Sequence, residues 1–361
     1  MKTVRFGIVG FGFMGYEHYK MLHDFPNAAI TAICDRDPAR VADAPAGPAV
    51  YTSADALFAD TNVDVVILSA NNNQHCQLVC SAAKAGKDII CEKPVALCLA
   101  DLDRMEAAVR EAGVKFTVHQ QRRFDPDFRT TKQVVESGTL GDVYTIKSSL
   151  YGYNGNMHDW HVYPEEGGGM LYDWGVHLLD QLLWMVDSPV KSVYADIRNV
   201  INRDVDDYFH IILRHYNGLT TDLELGTYYL SRKDDWFERH WYVGGNRGIM
   251  ELEGFEPKGA IVRTTRLLTE VGTTRAKGAG GPTRSFGTPE PGLIVTEPLP
   301  VAGTEHADYF RNYIRAWNGL EPFLVSIPQV RRSLRLMTVA RQAAASGFSL
   351  PFENADGTAA G

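Results

Sequence analysis

Asp173, His177 and Asp180 follow a run of three glycines, Gly167-Gly168-Gly169, at spacings i, i+4 and i+7. On a helix the three share one face, while Leu178, Leu179, Leu182 and Leu183 cover the other side. A carboxylate and an imidazole one turn apart can move protons near neutral pH. The same spacing also suits a histidine packed near a core and bonded to an aspartate, so the pair needs company to count as a site. Lys93, in Glu92-Lys93-Pro94 after the strand-like run Asp88 to Cys91, offers a cation that could meet a substrate hydroxyl. Pro94 biases Lys93 to extended backbone, projecting its side chain away from the next helix.

The elements before Lys93 say what the cation would face. Val4 to Val9 reads as a buried strand running into Gly10-Phe11-Gly12-Phe13-Met14-Gly15, followed by a helix over Tyr16 to Phe25. In this strand–turn–helix setting Gly10 permits the tight turn, Gly12 lets backbone approach a pyrophosphate, and Gly15 allows close helix–strand packing. The helix start supplies amides for the phosphates. A second strand, Ala28 to Cys34, ends at Asp35, twenty residues after Gly15, where an acid accepts from the ribose hydroxyls. Asp35 favours NAD by repelling a 2′-phosphate, while Arg36 beside it leaves room for NADP.

Further βα units are expected: a strand over Val63 to Ser69, a helix over Cys76 to Ala85, a strand over Asp88 to Cys91, a helix over Leu99 to Ala112 and a strand over Lys115 to His119. Strand ends on this edge of a parallel sheet point into the ligand crevice. Ala70, Asn71, Asn72, His75, Glu92, Lys93 and Gln121 are therefore cofactor-side candidates, with Gly10 to Gly15, Asp35 and Arg36. The fold expected is α/β: a doubly wound Rossmann domain over 1–122, then an α+β domain over 123–361 with a large open, mostly antiparallel sheet.

In the second domain a helix is expected over Phe124 to Ser137, then strands over Val143 to Tyr151, Val190 to Asn199, Asp207 to His215, Gly218 to Tyr229, Trp236 to Gly244 and Gly248 to Leu252. Residues 271–300, rich in Gly, Thr and Pro, read as a loop excursion, and Ala307 to Gly319 and Ile327 to Ala345 as amphipathic helices. The run from Tyr153 to His161 mixes polar and aromatic side chains. Tyr153, His158 and Trp160 suit a sugar, because aromatic faces pack on its C–H surface while polar tips reach hydroxyls. His158-x-x-His161 in a glycine-containing loop is a weak metal signal, and no metal is expected.

The 361 residues are enough for two cores, and 45% hydrophobic with 22% charged residues is a globular composition. A net charge of −8 argues against nucleic-acid binding. No apolar run has membrane-span length, and the first strand comes too soon after Met1 for a signal peptide, so a cytoplasmic protein is expected. The five cysteines, Cys34, Cys76, Cys80, Cys91 and Cys98, match no zinc spacing and are read as reduced.

With Gly10 to Gly15, Glu92-Lys93-Pro94, Arg123-Phe124-Asp125-Pro126-Asp127-Phe128 and the Gly167 to Asp180 block assembled in this order, the chain resembles the glucose–fructose oxidoreductase / inositol dehydrogenase / MocA family. The resemblance covers most of the chain. It implies an NAD(P)-dependent oxidoreductase of a sugar, cyclitol or related alcohol, and a homodimer or homotetramer formed through the C-terminal sheet. It further implies that Lys93 lies near the nicotinamide and the reacting oxygen, that His177 is the acid/base, and that Asp173 binds or orients substrate. Asn72 and His75 match the family's threonine-proline-asparagine loop and following histidine. Two departures stand out: Asn71 replaces that loop's proline, and Asp159-Trp160-His161 stands where the family often carries Trp-Arg. Two other outcomes suit the same motifs. One is keto-sugar chemistry on a tightly held, recycled NAD (glycoside cleavage, epimerisation or transfer); the other is a non-enzymatic NAD-binding sensor.

Overall fold

The computed structural model describes residues 1–152, 157–228, 237–269, 277–278, 281–282 and 290–354. Its first third is a six-stranded parallel sheet: β1 (Val4–Val9), β2 (Ala28–Cys34), β3 (Ala49–Tyr51), β4 (Val65–Leu68), β5 (Asp88–Cys91) and β6 (Phe116–Val118), in the order β3-β2-β1-β4-β5-β6. Strand order reverses between β1 and β4, and a doubly wound sheet opens its ligand crevice at that point. Between the strands run α1 (Phe13–Leu22), α2 (Pro38–Val41), α3 (Ala54–Phe58), α4 (His75–Lys84) and α5 (Leu99–Ala112). β4 is a continuous apolar run and β1 is broken only by Arg5, because both faces are covered; Phe6, Ile8, Val65, Val66, Ile67 and Leu68 are wholly buried. Helix α1 starts three residues earlier than expected, so Gly15 falls inside its first turn.

A short helical turn, Gln121–Phe124, and α6 (Pro126–Glu136) lead into a nine-stranded sheet. Its strands are β7 (Val143–Tyr151), β8 (Val190–Arg198), β9 (Tyr208–His215), β10 (Thr220–Gly226), β11 (Glu238–Gly245), β12 (Gly248–Glu253), β13 (Lys258–Thr264), β16 (Ile294–Pro298) and β17 (Leu350–Pro351). The order is β16-β13-β12-β11-β7-β10-β9-β8-β17; only β7 and β10 run parallel. Alternate residues such as Phe209, Ile211, Leu223, Leu225, Trp241 and Val243 enter one core with α7 (Val176–Met185). The open face carries polar pairs such as His210–Asp222.

The expected loop over 271–300 needs correction. Ile294–Pro298 pairs antiparallel with β13 as an edge strand, and Lys277–Gly278 (β14) pairs with Gly281–Pro282 (β15). Ile294–Pro298 is bounded by prolines and interrupted by polar residues, the pattern of an edge strand that composition reads as loop. The chain also moves between cores more than once. Phe124 lies in the first core and Phe128 in the second, but α8 (Ala307–Trp317) returns Tyr309, Phe310 and Tyr313 to the first. Helix α9 (Ile327–Ser346) joins both, through Val330 and Leu334 in one and Leu336 to Ala343 in the other. A two-part division at residue 122 leaves out this return.

Candidate active site

The crevice is built on backbone that only glycine tolerates. Gly10 has φ +90°, and a Cβ there would lie 2.6 Å from the Ser69 carbonyl oxygen; one on Gly15 would lie 2.0 Å from the Gly10 carbonyl oxygen. Asp35, buried at the end of β2, accepts from the Phe11 amide (2.8 Å) and the Asp37 amide (2.9 Å), tying the glycine turn to the second strand. A cleft of about 260 Å³ beside it is lined by Gly10, Asp35, Arg36, Arg40, Ala70 and Asn71, among others. The Cβ-free turn, the helix start and the acid fit a dinucleotide: backbone amides for the pyrophosphate, Asp35 for the adenosine ribose. Phe13 is 79% exposed and Phe11 is buried under the turn, so the two fingerprint aromatics face different surroundings.

Other cofactor-side candidates sit differently from expectation. His75 is wholly buried, with Nδ1 facing the Pro94 carbonyl (2.9 Å) and Nε2 the Ala70 carbonyl (3.0 Å). Burial favours the neutral ring, whose single N–H donates to one of them, so it packs between two strand-end loops rather than meeting a ligand. Glu92 is also interior. Its Oε1 accepts from His18 (2.7 Å) and His119 (2.8 Å), and its Oε2 from the Lys93 amide (3.1 Å). Burial opposes ionisation of Glu92, yet the two imidazoles outweigh it and hold the carboxyl well below the usual range. Asn71 and Asn72 donate to the side chain and carbonyl of Glu166 (3.1 Å each), clasping the loop before the glycines to the Rossmann edge; Asn71 also lines the cleft. Gln121 is buried and its Oε1 meets no partner among the described residues.

Lys93 crosses to the second domain. Its Nζ donates to Asp173 Oδ1 (2.8 Å) and to the Asp173 carbonyl (2.9 Å). Asp173 does not lie on a regular α-helix: Leu171–Gly175 forms a π-turn that leads into α7. Such turns recur at functional sites because they re-aim side chains. The carboxylate's other oxygen, Oδ2, stands 3.6 Å from His161 Nε2, and the His161 ring stacks on Trp160 with centroids 3.9 Å apart. Burial opposes ionisation of Asp173, but Lys93, seconded by His161, holds it well below the usual carboxylate range. His161, at the departure from Trp-Arg, was not among the expected site residues; the fold places it beside the acid.

His177 is 3% exposed and forms no hydrogen bond with Asp173 among the described residues; its Nδ1 instead meets Gln120 Oε1 at 3.1 Å. Burial, together with the Lys93 and Arg122 cations, holds the ring well below the ordinary imidazole range, so it is neutral near pH 7. Arg122 stacks on Trp174, 4.1 Å from the ring centroid, and pairs with Asp125.

Asp180, in register with Asp173 and His177 along the chain, has a different task. Asp180 and Arg123, both buried, form two bonds of 2.6 and 2.7 Å, and Arg123 also donates to the Leu324 carbonyl and Gln329. The glycines set the approach to Asp173. A Cβ on Gly168 would lie 2.6 Å from the His161 carbonyl oxygen, and Gly169, at φ +98°, would meet Asp206 at 2.5 Å. Asp206 accepts from the Leu171 amide (2.7 Å), capping the π-turn, and pairs with Arg341. Trp160 is half-buried and His158 exposed on the Asp159–Val162 turn; Tyr153 lies outside the described residues.

A parallel sheet in this order, a glycine turn with Asp35, and a lysine–aspartate pair beside a neutral imidazole define an NAD-binding oxidoreductase. Residues 4–120 match the oxidoreductase family with an NAD-binding Rossmann fold, and residues 128–251 match the GFO/IDH/MocA C-terminal domain. The chain belongs to the GFO/IDH/MocA family. It is 31% identical to an NAD-binding protein from Listeria innocua whose crystal structure superposes with a TM-score of 0.83 over 97% of both chains. An uncharacterized oxidoreductase of Schizosaccharomyces pombe is 30% identical over 270 residues, 72% of this chain and 73% of that one. A myo-inositol 2-dehydrogenase of Thermotoga maritima is 30% identical over 223 residues, 60% and 66%. No described helix is long and apolar enough to cross a membrane.

Proposed function

We propose that this oxidoreductase converts a secondary hydroxyl of a sugar, cyclitol or glycoside to the ketone, with His177 as acid/base and Lys93 polarising the reacting oxygen. The observation that carries the reading is the convergence of Lys93, from the Rossmann edge, with Asp173 and the neutral ring of His177 from the second domain. An ammonium has three N–H bonds, and two of Lys93's go to Asp173. The third is available to a substrate oxygen, where it lowers the cost of developing alkoxide charge. NAD, when bound, accepts the hydride from the carbon that bears this oxygen. His177 takes the hydroxyl proton, and its depressed basicity keeps it free to do so near neutral pH. Trp160, stacked on His161, offers an aromatic face to a sugar ring. The inositol dehydrogenase relative supports an alcohol on a carbon ring.

The test is NADH absorbance with purified protein, NAD⁺ and a panel of polyols, free sugars and glycosides. Reduction by one class establishes the dehydrogenase and names its substrate. A second reading is favoured by His161, a further imidazole on Asp173 that suits additional proton transfer at a transient ketone. A changed sugar with no net NADH would select it. The open face of the nine-stranded sheet is proposed as the homodimer or homotetramer contact, to be read by light scattering.

A further inference from the structure

Asp173 is spent on Lys93 and His161, so it does not orient His177. The ring is held by a residue from the other domain. Gln120 comes just after β6, and its main chain is fixed at both ends: its amide donates to the Val118 carbonyl (2.9 Å), and its carbonyl accepts from the Arg123 amide (3.2 Å). Its side chain is 1% exposed, with Oε1 3.1 Å from His177 Nδ1. An amide oxygen only accepts, so Nδ1 must carry the proton. Nε2 is then the lone-pair nitrogen, and it has no partner among the described residues. Turning the amide round would put the proton on Nε2, adding a donor where Lys93 and Arg122 already concentrate positive charge. It would also leave the amide oxygen buried and unpaired in place of Nε2 of Gln120, which meets no partner now.

We propose that Gln120 is the positioning residue that sets the tautomer of His177, keeping Nδ1 protonated so that Nε2 presents a lone pair to the substrate hydroxyl. The catalytic consequence rests on His177 being the acid/base. When the substrate O–H bond breaks, its proton goes to Nε2, and the imidazolium so formed keeps the Nδ1–H bond to Gln120. A neutral amide fixes the tautomer without the strong stabilisation of imidazolium that a carboxylate would give. Gln120 therefore selects which nitrogen is basic, while burial and the neighbouring cations set how basic it is.

The test is nitrogen–proton correlation NMR of the NAD⁺-loaded full chain, labelled with ¹⁵N-histidine, near neutral pH; the His177 signals are assigned by their loss in His177→Gln. The expected result is a pyrrole-type Nδ1 and a pyridine-type Nε2. Gln120→Leu should shift the ring to the Nε2–H form and lower kcat by about 10²-fold with KM nearly unchanged, on the scale of lost general-base catalysis. Gln120→Glu should restore the Nδ1–H form and raise the pH at which the ring protonates. A wild-type ring in the Nε2–H form overturns the proposal, as does a tautomer unmoved in Gln120→Leu. If that variant does not fold, the wild-type and Gln120→Glu spectra still decide. An Nδ1–H ring that depends on Gln120, with full turnover in His177→Gln, would uphold the positioning and remove His177 from the chemistry.

Discussion

The ammonium of Lys93, at the end of the fifth Rossmann strand, stands 2.8 Å from the carboxylate of Asp173 and 2.9 Å from its carbonyl oxygen, eighty residues away in the second domain. The pair joins the cofactor-binding edge to the π-turn before α7. It also presets the direction of the one remaining ammonium hydrogen. In the proposed reaction, the charge offered to the substrate oxygen is thus oriented before the substrate arrives.

Lys93→Met should lower kcat/KM by about 10²–10³-fold, the usual scale for removing one electrostatic donor from a developing oxyanion. NAD⁺ affinity, read by calorimetry, should change little, because the glycine turn and Asp35 remain. A variant that loses cofactor affinity as steeply as turnover would place Lys93 in cofactor binding instead.

Asp180→Ala leaves the guanidinium of Arg123 buried with its main partner removed. The expected cost is about 3–5 kcal/mol in urea unfolding, the range for breaking a buried pair from one side. Arg266→Ala, which breaks an exposed pair with Glu290, should stay within about 0.5 kcal/mol of wild type. Equal effects at the two sites would contradict this.

Gly169→Ala combines φ +98° with a Cβ 2.5 Å from Asp206. About 1–3 kcal/mol of stability should be lost, and turnover with it, because Asp206 caps the turn that carries Asp173. Gly113→Ala is the control. It shares a positive φ at a helix end, has open space around it, and lies far from the site, so it should lose stability and keep kcat.

Burial pushes His119 down to about 4, against its Glu92 partner, whereas an unfolded histidine titrates near 6.5. Between these values the unfolded chain binds more protons, so stability rises with pH and is lost as pH falls from about 6.5 towards 4. Glu92, with its carboxyl held low, acts in the same direction below the ordinary carboxylate range. The urea midpoint should therefore drop progressively on acidification. His119→Gln should flatten the upper part of that decline, and an unchanged slope would show that this histidine is not its source.

Much of the cofactor half was legible because its signals are local. A strand, a G-x-G-x-x-G turn, a helix and an acid twenty residues on are determined by φ angles, periodicity and reach within one βα unit, and the fold sets them out in that order. Lys93, Asp173 and His177 were nameable because their residue types and motif spacings are unusual. What each touches was not legible. His75 and Glu92 read as ligand contacts from their places at strand ends, yet both turned inward, because a buried carboxylate and imidazole gain most from each other or from main chain. Asp180 looked like a third member of a catalytic face and became the clamp on Arg123; His161, marked in sequence only as a weak metal signal and a motif departure, and Gln120, unmarked there, became the partners of Asp173 and His177. Those roles depend on contacts between residues far apart along the chain, 57 residues for both Arg123–Asp180 and Gln120–His177, or across the glycine turn for His161–Asp173. Spacing along the chain determines which groups are present; only packing decides which oxygen faces which nitrogen.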